Sequence, residues 1–97
     1  MTPSKIKHRL LSDGTVSYKL EGKLHREDGA AVTYIYGTEC WYLNGELHRT
    51  DGPAVITSDG FEYWYLNGKL HRTDGPAIIH PNGTAKKYLK GFRKNGT

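Results

Sequence analysis

Eleven of the twelve glycines in this 97-residue chain fall on a lattice of period 23. Gly22, Gly45, Gly68 and Gly91 form one column of it, Gly14, Gly37, Gly60 and Gly83 a second, and Gly29, Gly52 and Gly75 a third. Glycine recurs at a fixed interval where a backbone turn recurs at that interval, so the lattice predicts turns needing φ > 0 along a stack of like units. Other columns keep the same register: His25, His48 and His71; Arg26, Arg49 and Arg72; Asp28, Asp51 and Asp74; Leu20, Leu43, Leu66 and Leu89. No insertion interrupts them. We divide the chain into a basic N-terminal segment, 1–12, and a single β-repeat domain, 13–97. That domain has full units at 13–35, 36–58 and 59–81 and a partial one at 82–97.

Inside a unit the pattern reads strand, tight turn, short strand, loop, strand. Phe61 to Leu66 alternates and is rich in aromatic residues, and Asn67-Gly68 is the type I′ hairpin signal that matches strand twist. Lys69-Leu70-His71 forms the return strand. Arg72-Thr73-Asp74-Gly75-Pro76 is a turn-rich loop, Ala77-Ile78-Ile79 a second β-branched strand, and Asn82-Gly83 turns the chain into the next unit. No segment has an apolar period of 3.6, which predicts essentially no helix. The expected fold is all-β: an antiparallel meander of β-hairpin repeats, two or three strands per unit, forming an extended or rolled single sheet with strands about 4.8 Å apart.

Period-two alternation sorts the side chains. Tyr18, Trp41 and Trp64 fall with Leu20, Leu43 and Leu66, and we expect them to form the main apolar face together with Leu24, Leu47 and Leu70. The other face carries Lys19, Tyr42, Tyr65 and Tyr88 in one column and Ser17, Cys40 and Tyr63 in the next. That surface is half-polar and aromatic. Both faces need covering, which predicts a rolled sheet or a homodimer.

Charge follows the units less closely. Between Leu10 and Ala85 there are six Lys or Arg against ten Asp or Glu, so the body carries about −4, while the ends carry the remaining eight of the fourteen basic residues. A nucleic-acid stripe would be more uniform. The basic ends read either as solubilising termini or as a patch for an acidic partner. The lone Cys40 excludes an internal disulfide and supplies no metal-site spacing; within a strand pattern it reads as a small buried side chain. Short apolar runs predict neither a membrane-spanning helix nor a signal h-region, and the expected location is cytoplasmic, the host-cell cytoplasm if the protein is viral.

At Trp64-Tyr65-Leu66-Asn67-Gly68-Lys69-Leu70-His71-Arg72-Thr73-Asp74-Gly75-Pro76-Ala77, and in its copy from Trp41 to Ala54, the chain resembles the W-Y-x-N-G-x-x-H-R-x-D-G-P-A repeat of bacteriophage and large-virus proteins. The likeness runs from about Asp13 to Gly91. Asp28-Gly29-Ala30-Ala31 lacks the proline in the first copy, and Arg93-Lys94 stands in place of Leu-His in the last. The unit is also similar, more distantly, to the MORN (membrane occupation and recognition nexus) repeat, which puts Gly where Arg26, Arg49 and Arg72 stand here. The resemblance implies an extended β-hairpin repeat, a tendency to dimerise, and a role in binding proteins or lipid. It carries over no catalytic residue.

The His-Arg-x-Asp-Gly loop contains a base, a cation and a carboxylate, yet an active site is one asymmetric constellation, whereas a group copied in every unit suits a structural role. Asp in such a loop accepts backbone N–H groups, and Arg clamps it or a neighbouring carboxylate. Zinc needs three imidazoles within roughly 2.1 Å of one point. His25, His48 and His71 should lie two or three strands apart, on the order of 10 to 14 Å. No phosphate-loop or dinucleotide motif is present. We therefore expect no enzyme, no metal and no cofactor.

For a binding surface, Tyr42, Tyr65 and Tyr88 with the basic residues Arg49, Arg72, Lys86, Lys87, Lys90 and Arg93 are the candidates, since aromatic faces stack on bases and cations neutralise phosphate. The same tyrosines suit a dimer or inter-layer interface. The expectation is a small non-enzymatic binding protein of phage type that engages a host protein, an enzyme or defence system that it inhibits. The alternatives are a small anionic ligand such as a nucleotide signal, or nucleic acid bound through the basic termini; no membrane is expected as a partner.

Overall fold

The computed structural model describes residues 6–86, 88, 89, 92 and 93, and no helix occurs among them. β1 (Lys7–Leu10), β2 (Val16–Leu20) and β3 (Lys23–Leu24) open the chain. Then come β4 (Val32–Thr33), β5 (Glu39–Cys40), β6 (Tyr42–Leu43) and β7 (Glu46–Leu47). The same pattern returns as β8 (Val55–Ile56), β9 (Glu62–Tyr63), β10 (Tyr65–Leu66) and β11 (Lys69–Leu70). It returns once more as β12 (Ile78–Ile79), β13 (Ala85–Lys86), β14 (Tyr88–Leu89) and β15 (Phe92–Arg93). The first unit thus has three strands, as expected, and the second and third have four short ones each. The run expected as one strand from 61 to 66 is interrupted at Trp64, and its copy at Trp41.

The strands form two antiparallel ladders side by side. The first runs β1-β2-β4-β5-β8-β9-β12-β13 and stays open, with β1 and β13 at its ends. The second is the row of hairpins β2–β3, β6–β7, β10–β11 and β14–β15. Neighbouring hairpins are tied: the Arg26 N–H donates to the Tyr42 C=O (3.1 Å) and the Gly45 N–H to the Leu24 C=O (2.9 Å). Arg49 to Tyr65 (3.1 Å) and Gly68 to Leu47 (2.8 Å) repeat those bonds one unit later. The all-β antiparallel meander expected from the sequence is the fold observed. Among the described residues no helix is long and apolar enough to cross a membrane.

One residue per period joins the ladders. The Trp41 N–H donates to the Ala54 C=O in the first ladder (2.6 Å), and the Trp41 C=O accepts from the His48 N–H in the second (3.0 Å). Tyr18 does the same with Ala31 and His25, and Trp64 with Ala77 and His71. With its two backbone groups split between ladders and no neighbouring strand along it, Trp41 or Trp64 falls out of either strand, whereas Tyr18 stays in β2 through its pairing with His8, and the split leaves both backbone groups bonded. Segment 1–12 contributes β1, which pairs along β2 from Lys7↔Lys19 to Leu10↔Val16 and so spans both ladders.

Two turn types close the hairpins. In the second ladder, Glu21-Gly22, Asn44-Gly45 and Asn67-Gly68 place both residues at positive φ, with 50°, 52° and 50° at the first position, the type I′ geometry. In the first ladder, the Gly37 N–H donates to the Tyr34 C=O (2.9 Å) and the Tyr34 N–H to the Thr38 C=O (2.9 Å), with Gly37 at φ 102°. This is a type I turn followed by a left-handed glycine bulge, and it recurs at Leu11–Gly14, Thr57–Gly60 and His80–Gly83.

Register corrects the expected faces. Residues directly opposite one another share a face. In the first ladder this gives the cross-strand row Ser17, Val32, Cys40, Val55, Tyr63, Ile78. Ser17, Val32, Cys40 and Ile78 are buried, so the column expected on a half-polar outer surface is the core. Ala31, Ala54 and Ala77 sit beside it with no exposed surface at all; a longer side chain there would have to displace its neighbours. In the second ladder Leu24, Leu47 and Leu70 pair with Lys19, Tyr42 and Tyr65 and not with the Leu20, Leu43, Leu66 column. The two-residue turn pairs Leu20, Leu43 and Leu66 with Lys23, Glu46 and Lys69, so an alternation counted through the turn puts the returning leucine on the wrong face.

Candidate functional site

The chain returns from the second ladder to the first through the His-Arg-x-Asp-Gly loop, and this loop is built identically three times. The Arg49 Nε–H donates to Asp51 Oδ1 (2.8 Å) and its Nη1–H to the Pro53 C=O (3.0 Å). Its guanidinium carbon lies 4.0 Å from the Trp41 ring centroid. Arg26 makes the same bonds to Asp28 and Ala30 (3.0 and 3.3 Å) and covers Tyr18 at 4.0 Å. Arg72 binds Asp74 and the Pro76 C=O (3.0 and 3.1 Å) and covers Trp64 at 3.7 Å. A fork donor, a ring face and a carboxylate thus close a seven-residue loop on itself, the geometry for which guanidinium is suited. Of the structural roles foreseen for Arg, the clamp on its own unit's Asp is the one observed. That hydrogen bond and the Arg49 charge hold the Asp51 carboxyl below the usual carboxylate range.

The clamp explains the third glycine column, and not through φ. A Cβ on Gly29, Gly52 or Gly75 would lie 3.0, 2.7 or 2.8 Å from the guanidinium carbon of Arg26, Arg49 or Arg72, and none of the three glycines has a positive φ. They are glycines because the arginine passes over them. The expectation of left-handed turns there is corrected; it holds for Gly14, Gly22, Gly37, Gly45, Gly60, Gly68 and Gly83.

The histidines have a different task. His25 Nδ1 accepts the Asn44 N–H (3.0 Å) and His48 Nδ1 the Asn67 N–H (2.9 Å). The first amide of each Asn-Gly turn would otherwise find no partner in its own hairpin, and the preceding unit's imidazole supplies it. Each bond requires the neutral tautomer with its hydrogen on Nε2, which in His25 faces Glu27 Oε2 at 3.4 Å. Imidazole, guanidinium and carboxylate are therefore committed to holding the stack. Among the described residues no three His, Cys, Asp or Glu side chains are grouped to hold a metal ion. Burial raises the Cys40 thiol above its ordinary pKa, away from nucleophilic use.

Between successive clamps run two equivalent grooves. One, of about 340 Å³, lies between the Arg26–Gly29 loop and the Trp41, Leu43, His48 and Asp51 side of the next unit. The other, about 210 Å³, lies between Arg49 and the Trp64, Leu66, His71 and Asp74 side. Arg49 and Thr50 belong to both.

The structure brings Arg49 and Arg72 together along these grooves and leaves Tyr42 and Tyr65 elsewhere. Tyr42 and Tyr65 share a face with Leu47 and Leu70, half-buried, and burial raises both hydroxyls above the usual phenol value. The backbone of Lys86 pairs with Ile78, and that of Tyr88 with Arg93. Lys87 and Lys90 lie outside the described residues. Sequence reasoning missed Trp41, Trp64 and Thr50 as groove residues. The constant spacing of eight from Tyr18, Trp41 and Trp64 to Arg26, Arg49 and Arg72 was the available signal. No family model matches the chain, and no curated protein or solved structure shows a significant match to it.

Proposed function

We propose that the chain is a non-enzymatic binding protein whose repeated grooves engage another protein. The observation that carries this reading is the commitment of all three Arg-Asp pairs, and of His25 and His48, to repeated internal bonds, which leaves shaped grooves beside side chains already in use. Repeat stacks offer such extended surfaces for binding. The resemblance to repeats of bacteriophage and large-virus proteins supports a host protein as the partner, a host enzyme or defence component inhibited by being occupied. The setting would be the host-cell cytoplasm.

The test is an affinity capture from host extract read by mass spectrometry, run beside the Thr50→Arg variant. Thr50 is exposed and borders both grooves, so arginine there obstructs them at small cost to the fold. A protein retained by the native chain and lost by Thr50→Arg supports the reading; retention indifferent to the change defeats it. Thermal stabilisation by nucleotides would transfer the function to a small anionic ligand instead. Self-association is proposed through Leu10, Ile35 and Tyr36, which are 64–68% exposed. Light scattering on Tyr36→Lys checks it.

A further inference from the structure

Resting on the reading of the grooves as a binding surface, we infer that they take a proline-rich peptide in the polyproline II conformation, with basic residues at its third positions. Each groove joins an aromatic wall, Trp41 or Trp64, to an apolar floor, Leu43 or Leu66, with a carboxylate on its rim, Asp51 or Asp74. Aromatic-lined grooves of this kind suit a polyproline II strand, which is already extended and gives up little entropy on binding.

Spacing selects among extended ligands. One period adds two strands to the first ladder, so equivalent groove points are about 9.6 Å apart by strand spacing. A polyproline II helix repeats every three residues at 3.1 Å each, about 9.3 Å per turn, so every third residue meets the next groove from the same side. A β-strand fails that condition, because its side chains alternate faces and a third residue points away. An α-helix is about 10–12 Å across, as wide as the distance between the grooves themselves.

Two further observations agree. The Trp64 indole N–H is closed to water and has no acceptor among the described residues, and polyproline II carbonyls are all free to accept. Both grooves carry charges of both signs, and the carboxylates are the more exposed. The Asp28, Asp51 and Asp74 side chains are 80–87% exposed, whereas their arginine partners, folded onto rings, are 19–29% exposed. An approaching ligand meets carboxylates at about 9.6 Å intervals, and the repeat body is net acidic.

Trp41 and Trp64 are the chain's two tryptophans and both line the grooves, so intrinsic fluorescence reads the site directly. Four-repeat peptides of Pro-Pro-Arg, Pro-Pro-Glu and Gly-Ser-Arg are titrated into the full chain. A saturable change is expected for Pro-Pro-Arg, at least tenfold weaker binding for the other two, and at least tenfold weakening by Thr50→Arg. Ser58→Arg, which adds the same charge at an exposed position outside both grooves, should bind as the native chain does. Equal affinity for Gly-Ser-Arg reduces the effect to charge, and tighter binding of Pro-Pro-Glu reverses the sign; either overturns the inference, as does binding indifferent to Thr50→Arg. If Pro-Pro-Arg fails while capture of a host protein still depends on Thr50, the ligand class is wrong and the binding reading stands. If neither depends on Thr50, both fall.

Discussion

The first unit and the two that follow it carry the same clamp on different supports. β2 runs straight through Tyr18 because β1 lies along it across both ladders, with His8 opposite Tyr18 and their rings 5.0 Å apart. Trp41 and Trp64 divide their backbone groups between ladders as Tyr18 does, but with no such strand beside them the strand is interrupted there. The first unit also departs in composition, with Tyr for Trp, Glu21 for Asn and Ala30 for Pro. Its clamp is looser: Arg26 reaches the Ala30 C=O at 3.3 Å, against 3.0 and 3.1 Å to Pro53 and Pro76. A ring-locked residue holds its carbonyl in place for the guanidinium, and alanine does so less well. Terminal units of a stack are held by their cap, so they tolerate what inner units do not.

Substituting the glycines under the arginines tests this contrast at the clamp itself. Gly52→Ala, whose Cβ would sit 2.7 Å from the Arg49 guanidinium carbon, moves the flexible end of that side chain off Asp51 and Pro53 and should cost about 2 kcal/mol in urea unfolding, and Gly29→Ala, at 3.0 Å, about 1 kcal/mol. Equal losses would mean that the clamps are equivalent after all. The histidine links should rank the opposite way. His25 is 6% exposed, so His25→Ala should cost about 2 kcal/mol, and the more open His48→Ala about 1 kcal/mol, each leaving a turn amide without its acceptor. A smaller effect sharpens the comparison at the turns. Glu21 at φ 50° is strained where Asn44 and Asn67 are at ease, so Glu21→Asn should raise stability by about 0.5–1 kcal/mol and Asn44→Glu lower it by as much. The smallest signal is in acid. Asp51 is depressed below its unfolded value by Arg49, so its contribution is present above the ordinary carboxylate range and lost as pH falls through the lower folded value. Asp51→Asn should flatten the acid limb of the stability profile.

Turn chemistry was legible because it is local: Asn67-Gly68 and Thr57–Gly60 form the hairpins their residues specify. The side-chain faces were legible only up to the hairpin turns. Alternation counted through Asn44-Gly45 puts Leu47 with Leu43, but the two-residue turn pairs Leu43 with Glu46 and register puts Leu47 with Tyr42. The arginine column was correctly read as a clamp; its ring partner eight residues upstream was not, since contacts across a ladder leave no mark in local periodicity. Of the tyrosines chosen for ligand stacking, Tyr42 and Tyr65 proved half-buried beside Leu47 and Leu70, for the same reason as the misplaced leucines.

The histidine-to-turn bonds also govern how the stack would behave under tension. Among the described side-chain bonds, His25–Asn44 and His48–Asn67 both link one period to the next, and backbone ladder bonds lie alongside them. Pulling the termini apart therefore loads a series of near-identical fasteners, which give way one period at a time. Each release pays out 23 residues of slack, roughly 80 Å of chain at full extension. Such a chain would yield as a staircase of small steps and dissipate load where a single-core domain of this size would give way at once.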